Sequence, residues 1–205
     1  MIVMPDAVVD KTVSNVLGSA FGNAGQRCMA GSVPVTIGSA QTAIMCRLKE
    51  GVELLVDGRR PAGDPAGGNF VDPTIFNNVT AEMRVCREES FGPVLSVMHV
   101  DTIEQAIALV NSDPRGNGTS IFTENGASVR EYSRHIEAVM VGVNIGVAAS
   151  PVYFPFSGWK HSFFGDLHVH GWEAFELFTR KKTVLSRYLS AGETGNFFVE
   201  QGDTH

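Results

Sequence analysis

Along most of this 205-residue chain, short aliphatic and β-branched runs alternate with longer stretches whose apolar positions recur every three to four residues. No other property of the sequence restricts the fold as strongly. An alternation of strand and helix periods predicts an α/β domain with a mostly parallel sheet. Strands are expected at residues 2–4, 33–37, 52–56, 70–76, 94–100, 119–122, 139–144 and 183–186. Pro73 makes the 70–76 run an edge strand or a broken one. A first helix is expected from Asp6, a good N-cap residue, to about Phe21, with Val9, Val13, Val16, Leu17 and Ala20 on one face. Further helices are expected at 40–49, stopped by Gly51, at 102–110, capped by Asp101, and at 127–138 and 172–178. The segment DGRRPAGDPAGGN is turn-rich, residues 145–171 are loop-rich and aromatic, and the polar tail after Leu189 is expected to fray.

Composition removes several functional classes. The net charge is -6 and the 16 Lys and Arg residues are scattered, with Arg180, Lys181 and Lys182 the densest run. A nucleic-acid or anionic-membrane surface needs a cluster of cations, so neither partner is expected. The three cysteines, Cys28, Cys46 and Cys86, are odd in number, widely spaced and without a CxxC. That argues against a disulfide framework or a zinc site and for a reducing compartment. No apolar run reaches the roughly 18 residues of a membrane span, and no secretory or transit-type leader is visible. No internal repeat, low-complexity block or interdomain linker interrupts the sequence, so one domain is expected.

Four stretches hold residues that could do chemistry. In GNAGQRCMAG (22–31), Cys28 follows a small, Gly-rich turn and an arginine. A turn after a helix can aim backbone N–H groups at an oxyanion, and Arg27 adds positive charge, so Cys28 is either a nucleophile or a buried packing residue. In RVCREESFGP (84–93), a carboxylate two residues from an aromatic could grip a ribose and stack a ring. The same stretch also reads as a charged helix end and a turn. Residues 63–68 are glycine-rich but match neither dinucleotide nor P-loop spacing, so they read as a surface turn. His168 and His170 form a His-x-His pair without a third ligand of suitable spacing, so no metal site is expected.

Taken together, these stretches resemble the aldehyde dehydrogenase superfamily, nearest its CoA-acylating methylmalonate-semialdehyde branch. FGNAGQRCMA (21–30) is similar to the family's nucleophile segment and EESFGPV (88–94) to its second signature. NFVDPTIF, GNGTSIFT, VGVNIG and PFSGWKHSFFGD follow in the family's order. The resemblance covers about residues 1–188, leaving 189–205 as a polar C-terminal tail. It implies a three-layer catalytic domain with a mostly parallel sheet. It also implies that the family's upstream dinucleotide-binding domain is absent from these 205 residues. Only 25 residues separate Cys28 from Leu54, fewer by several tens than in the family, so 33–49 is expected to span an internal deletion.

The resemblance also implies roles. Cys28 would attack an aldehyde carbon, with its own N–H as an oxyanion donor. Arg27 would bind the carboxylate of a small-molecule semialdehyde, and Phe156 would line the substrate tunnel. Glu89 would hold the nicotinamide ribose of NAD, and Phe91 would pack near the nicotinamide ring. CoA would take the acyl group. With most of the NAD site missing, the isolated chain is expected to bind NAD poorly and to be inactive. A homo-oligomer or pairing with a full-length homologue is the remaining partner expectation, with residues 183–186 resembling the family's assembly edge. Residual esterase or acyl-transfer chemistry at Cys28 is a third reading. The location implied is cytoplasmic for a bacterial protein and mitochondrial for a eukaryotic one. Gly116, Asn117, Gly118, Thr119 and Asn144 are expected to shape backbone turns.

Overall fold

The structure, a computed structural model, describes residues 1–51 and 70–188. The strand expected at 52–56, the whole loop after it with the glycine-rich stretch 63–68, and the tail lie outside the described residues. In chain order, β1 (Ile2–Val3) leads into α1 (Val9–Phe21), and β2 (Val35–Ile37) into α2 (Ala40–Gly51). Then come β3 (Thr74–Phe76), the single helical turn α3 (Arg84–Arg87), β4 (Val94–Ser96) and β5 (Met98–Val100). They are followed by α4 (Ile103–Ser112), β6 (Arg115–Gly116), β7 (Gly118–Phe122), α5 (Gly126–His135) and β8 (Met140–Val143). A short β9 (Trp159–Lys160) and α6 (Glu173–Phe178) complete the described elements.

Five strands form one sheet in the order β5-β2-β1-β7-β8, and every pairing in it is parallel. Ile2 stands opposite both Val35 and Ile121. Successive residues point to opposite faces, so Val3 and Phe122 join α1 and α2 in one core. Ile2 and Ile121 face the core under α4 and α5. The result is the expected three-layer α/β arrangement with a mostly parallel sheet. Val3, Val16, Leu48, Leu95 and Ile121 are fully buried, each contributing roughly 1.5–3 kcal/mol.

Several expectations are corrected. Asp6 does not cap α1: Val8 occupies the N-cap position without a side-chain bond. The Asp6 carboxylate instead accepts from Thr123 Oγ1 at 2.8 Å and from the Glu124 N–H at 3.0 Å. Thr102, not Asp101, caps α4, in a capping box with Gln105. The expected strand 94–100 divides between two ladders, because β4 pairs with β3 and β5 with β2. Helix α5 ends at His135, because the chain leaves the helix at Ile136 to bury Ile136 and Ala138. Residues 183–186 form no strand: no described segment pairs with them, and Leu185 is 95% exposed. Among the described residues, no helix is long and apolar enough to cross a membrane.

Residue Asn144 plays the turn-shaping part expected of it. In the left-handed region at φ 55°, its amide accepts from the Thr123 N–H and donates to the Thr123 carbonyl, both at 3.0 Å. This joins the ends of β7 and β8. On β5, His99 is half-buried between Thr36 Oγ1 at 2.5 Å and Asn77 Oδ1 at 2.7 Å, and burial lowers its pKa below the usual 6.5. The folded chain therefore takes up this proton less readily than the unfolded chain. The associated stability is present above about pH 6.5 and is lost as the pH falls. Denaturant midpoints measured between pH 7.5 and pH 5.5 should fall less in His99→Gln than in the wild type. Parallel pH dependence in the two proteins would contradict this.

Candidate active site

Because β1 and β2 are parallel, the helix between them runs back against the strands. Helix α1 therefore ends at the edge of the sheet where the strands begin. There the chain makes a tight turn, Gly22–Gly25, in which Asn23, Ala24 and Gly25 are all left-handed, at φ 56°, 55° and 68°. For a residue with a Cβ this costs roughly 1–2 kcal/mol. Gly25 is buried, and a Cβ on it would lie 2.2 Å from the Gly92 carbonyl oxygen and 2.7 Å from that of Ala20. Only glycine permits this approach. It sets the nucleophile-type turn against the EESFGP loop, so the two most informative motifs of the sequence meet in space.

Residue Cys28 follows three residues later, exposed on the turn. Among the described residues its backbone N–H makes no hydrogen bond. The turn is held on both sides. Ahead of Cys28 is the Gly25–Gly92 contact. Behind it, the Gly31 N–H donates to Ser19 Oγ at 2.8 Å. Arg27 folds back onto α1, where Nη2 donates to the carbonyls of Gly18 at 2.5 Å and Ser19 at 3.1 Å. It thereby satisfies carbonyls at the helix C-terminus, where a cation is favoured. Arg27 Nε is buried without a partner among the described residues.

A cavity of about 710 Å³ opens at this edge and is walled by Arg27, Cys28, Glu89 and Phe91 together. Phe91 is 53% exposed, and Glu89 makes no hydrogen bond or ion pair among the described residues. Cys28 also borders a second cavity of about 120 Å³, shared with Met29, Gly118, Gly146 and Ala148. The nucleophile candidate therefore stands between a large and a small space. Phe156 borders neither cavity. Its ring lies 5.8 Å from that of His170, so the structure does not bring it to the others. His168 is paired with Glu173, and the described residues hold no cluster of three His, Cys, Asp or Glu suited to a metal.

The structure adds residues to the large cavity that sequence reasoning had given no role. Arg115 grips Asp113 with two nitrogens, at 2.9 and 3.1 Å. Burial pushes the Asp113 carboxyl up, but the hydrogen bonds and charge of Arg115, with the charge of Lys160, outweigh it and hold the pKa low. Glu89 is near enough to favour the charged form of Arg115. The Cys86 thiol also borders this cavity, and burial raises its pKa. Lys160 Nζ donates to the carbonyls of Asn111 and Asp113, at 2.6 and 3.1 Å, which seats β9 against β6 beside the cavity.

A profile of the aldehyde dehydrogenase family matches residues 36–184, well over half of the chain. The chain belongs to the aldehyde dehydrogenase family. Malonate-semialdehyde dehydrogenase 2 of Geobacillus kaustophilus is 38% identical over 226 positions, covering 91% of this chain and 47% of the relative. That alignment is longer than the chain itself, so the relative carries residues that this chain lacks, in keeping with the short interval after Cys28. A crystal structure of methylmalonate-semialdehyde dehydrogenase from Oceanimonas doudoroffii superposes with a TM-score of 0.87 at 38% identity, over 93% of this chain and 48% of that one. An NAD complex described as a putative methylmalonate-semialdehyde dehydrogenase, from Sinorhizobium meliloti, gives 0.88 at 31% identity, over 93% and 47%. The chain thus spans about half the length of the relatives it matches.

The geometry of this aldehyde dehydrogenase turn is testable through its glycines. Gly25→Ala should lower the unfolding free energy by about 3 kcal/mol, combining left-handed strain with a backbone clash. A Cβ on Gly92 meets nothing within 4 Å, so Gly92→Ala should cost less than about 1 kcal/mol. Guanidinium denaturation of the two variants measures both, and equal losses would contradict the close approach.

Proposed function

We propose that this chain carries the acyl-transfer half of an acid-semialdehyde dehydrogenase, with Cys28 as the nucleophile. The observation that supports this most is the position of Cys28, exposed on a pinned turn between two cavities with its own N–H unengaged. The Cys28 thiolate adds to the aldehyde carbon, and the new oxyanion meets the Cys28 N–H. The smaller cavity, about 120 Å³, suits a short aldehyde. The relatives' names favour a malonate or methylmalonate semialdehyde. Arg27 would reach its carboxylate with Nη1, the guanidinium nitrogen that is neither bonded to α1 nor buried in the turn.

The unpaired carboxylate of Glu89 and the exposed ring of Phe91 fit the ribose and nicotinamide of NAD. What NAD supplies when bound is an acceptor for the substrate's hydride. Cys28 then holds the acyl group as a thioester, and CoA is the proposed acceptor. The described residues offer NAD only this end of a site, so the isolated chain should show no saturable NAD binding at micromolar concentration. A second reading, a non-catalytic module that pairs with a full-length homologue, is favoured by the exposure of Trp172, Phe175, Phe178 and Tyr188. Co-purification with such a homologue would support it.

Acylation by p-nitrophenyl acetate tests the main reading without NAD. The wild type should release a burst of nitrophenol close to one equivalent, with the acyl group on Cys28, and Cys28→Ala should release none. A burst that survives in Cys28→Ala would overturn the assignment.

A further inference from the structure

Residue Ser19 lies on α1 among apolar neighbours and is 1% exposed. A helical serine usually turns its hydroxyl back to the carbonyl four residues earlier or leaves it in solvent. Here Oγ donates to the Gly146 carbonyl at 2.7 Å and accepts from the Gly31 N–H at 2.8 Å. One buried hydroxyl therefore ties together three distant segments: the last turn of α1, the backbone three residues after Cys28, and the loop after β8. The main-chain carbonyl of the same residue receives Arg27 Nη2. The loop after β8 has a second tie to α1, because Asn15 Oδ1 accepts from the Gly146 N–H at 3.1 Å. Among the described residues, the next tie on the C-terminal side of the turn is at Ser32, whose carbonyl accepts from the Ser96 N–H at 2.8 Å.

We propose that Ser19 is a positioning residue for Cys28. Its hydroxyl fixes the exit of the turn, and so sets the direction of the Cys28 N–H relative to Sγ. The proposal rests on Cys28 being the nucleophile. Removing the hydroxyl leaves a partly buried N–H and a buried carbonyl unpaired, and each will seek a partner by moving the backbone. Acylation of Cys28 needs the N–H to face an oxyanion, whereas alkylation needs only the sulfur. The two reactions therefore separate a misaligned turn from a generally weakened fold.

The test uses the whole 205-residue chain, with p-nitrophenyl acetate and iodoacetamide as probes and the modification of Cys28 followed by peptide mass. In Ser19→Ala, acylation should fall at least about tenfold, while alkylation stays within about twofold of the wild type. Asn15→Ala removes the other tie to Gly146, together with an exposed bond to the Lys11 carbonyl within α1, and should leave both reactions within about twofold. If Ser19→Ala does not fold, Ser19→Cys keeps the volume, weakens both hydrogen bonds and should show the same split. A folded Ser19 variant with wild-type acylation would overturn the proposal, as would an equal loss of acylation in Asn15→Ala. A wild-type chain that alkylates but never acylates at Cys28 would instead remove the nucleophile reading, and this proposal with it.

Discussion

The close backbone approach of Gly25 to Gly92 is the contact on which the site depends. It carries two costs. Asn23 and Ala24 adopt left-handed conformations beside Gly25, and two loops give up their freedom. The gain is geometric. A turn from one end of the chain and a loop some sixty residues later are locked together, and the cavity between them collects a thiol, a carboxylate and an aromatic ring. Without that contact, Cys28 would be an exposed cysteine on a surface turn.

The sheet explains where this cavity lies. The strand order β5-β2-β1-β7-β8 places the change of direction between β1 and β7. Open parallel sheets usually bind ligands there, beyond the carboxyl ends of the strands. At that end Asp6 binds Thr123 and Glu124 and Asn144 clips β8 to β7, beside a cavity of about 540 Å³ bordered by Val8, Asn15, Phe122 and Glu124. The candidate site has formed instead at the opposite edge, where α1 delivers its C-terminus. The anchors along α1 then have a common effect. Ser19 and the Arg27 clasp hold a strained turn against a rigid helix, so the flexibility usual for a loop is removed at the residue that would react.

Much of this was legible in the sequence, because periodicity and motif order report local structure. The strand–helix alternation predicted the parallel sheet, and the motifs around Cys28 and Glu89 named four residues that share one cavity. What was misread involves contacts that no local pattern encodes. Asp6 looks like a cap but is used by Thr123, 117 positions away. The 94–100 run, VLSVMHV, reads as one continuous strand, and nothing in it marks where the chain changes partner from β3 to β2. Ser19 did leave a signal, a hydroxyl at a core position of an amphipathic helix, but its partners lie 12 and 127 positions away.

The central claim is that the fold singles out one of three cysteines for chemistry. Cys28 and Cys46 are both exposed, and Cys86 is partly buried. Competitive labelling with a limiting amount of an alkylating agent, resolved peptide by peptide, compares all three in one molecule. The account predicts that Cys28 is modified first, well ahead of Cys46, and that the preference disappears when the chain is unfolded. If Cys46 reacts as fast as Cys28 in the folded chain, exposure alone governs reactivity and the account of a preorganised nucleophile fails.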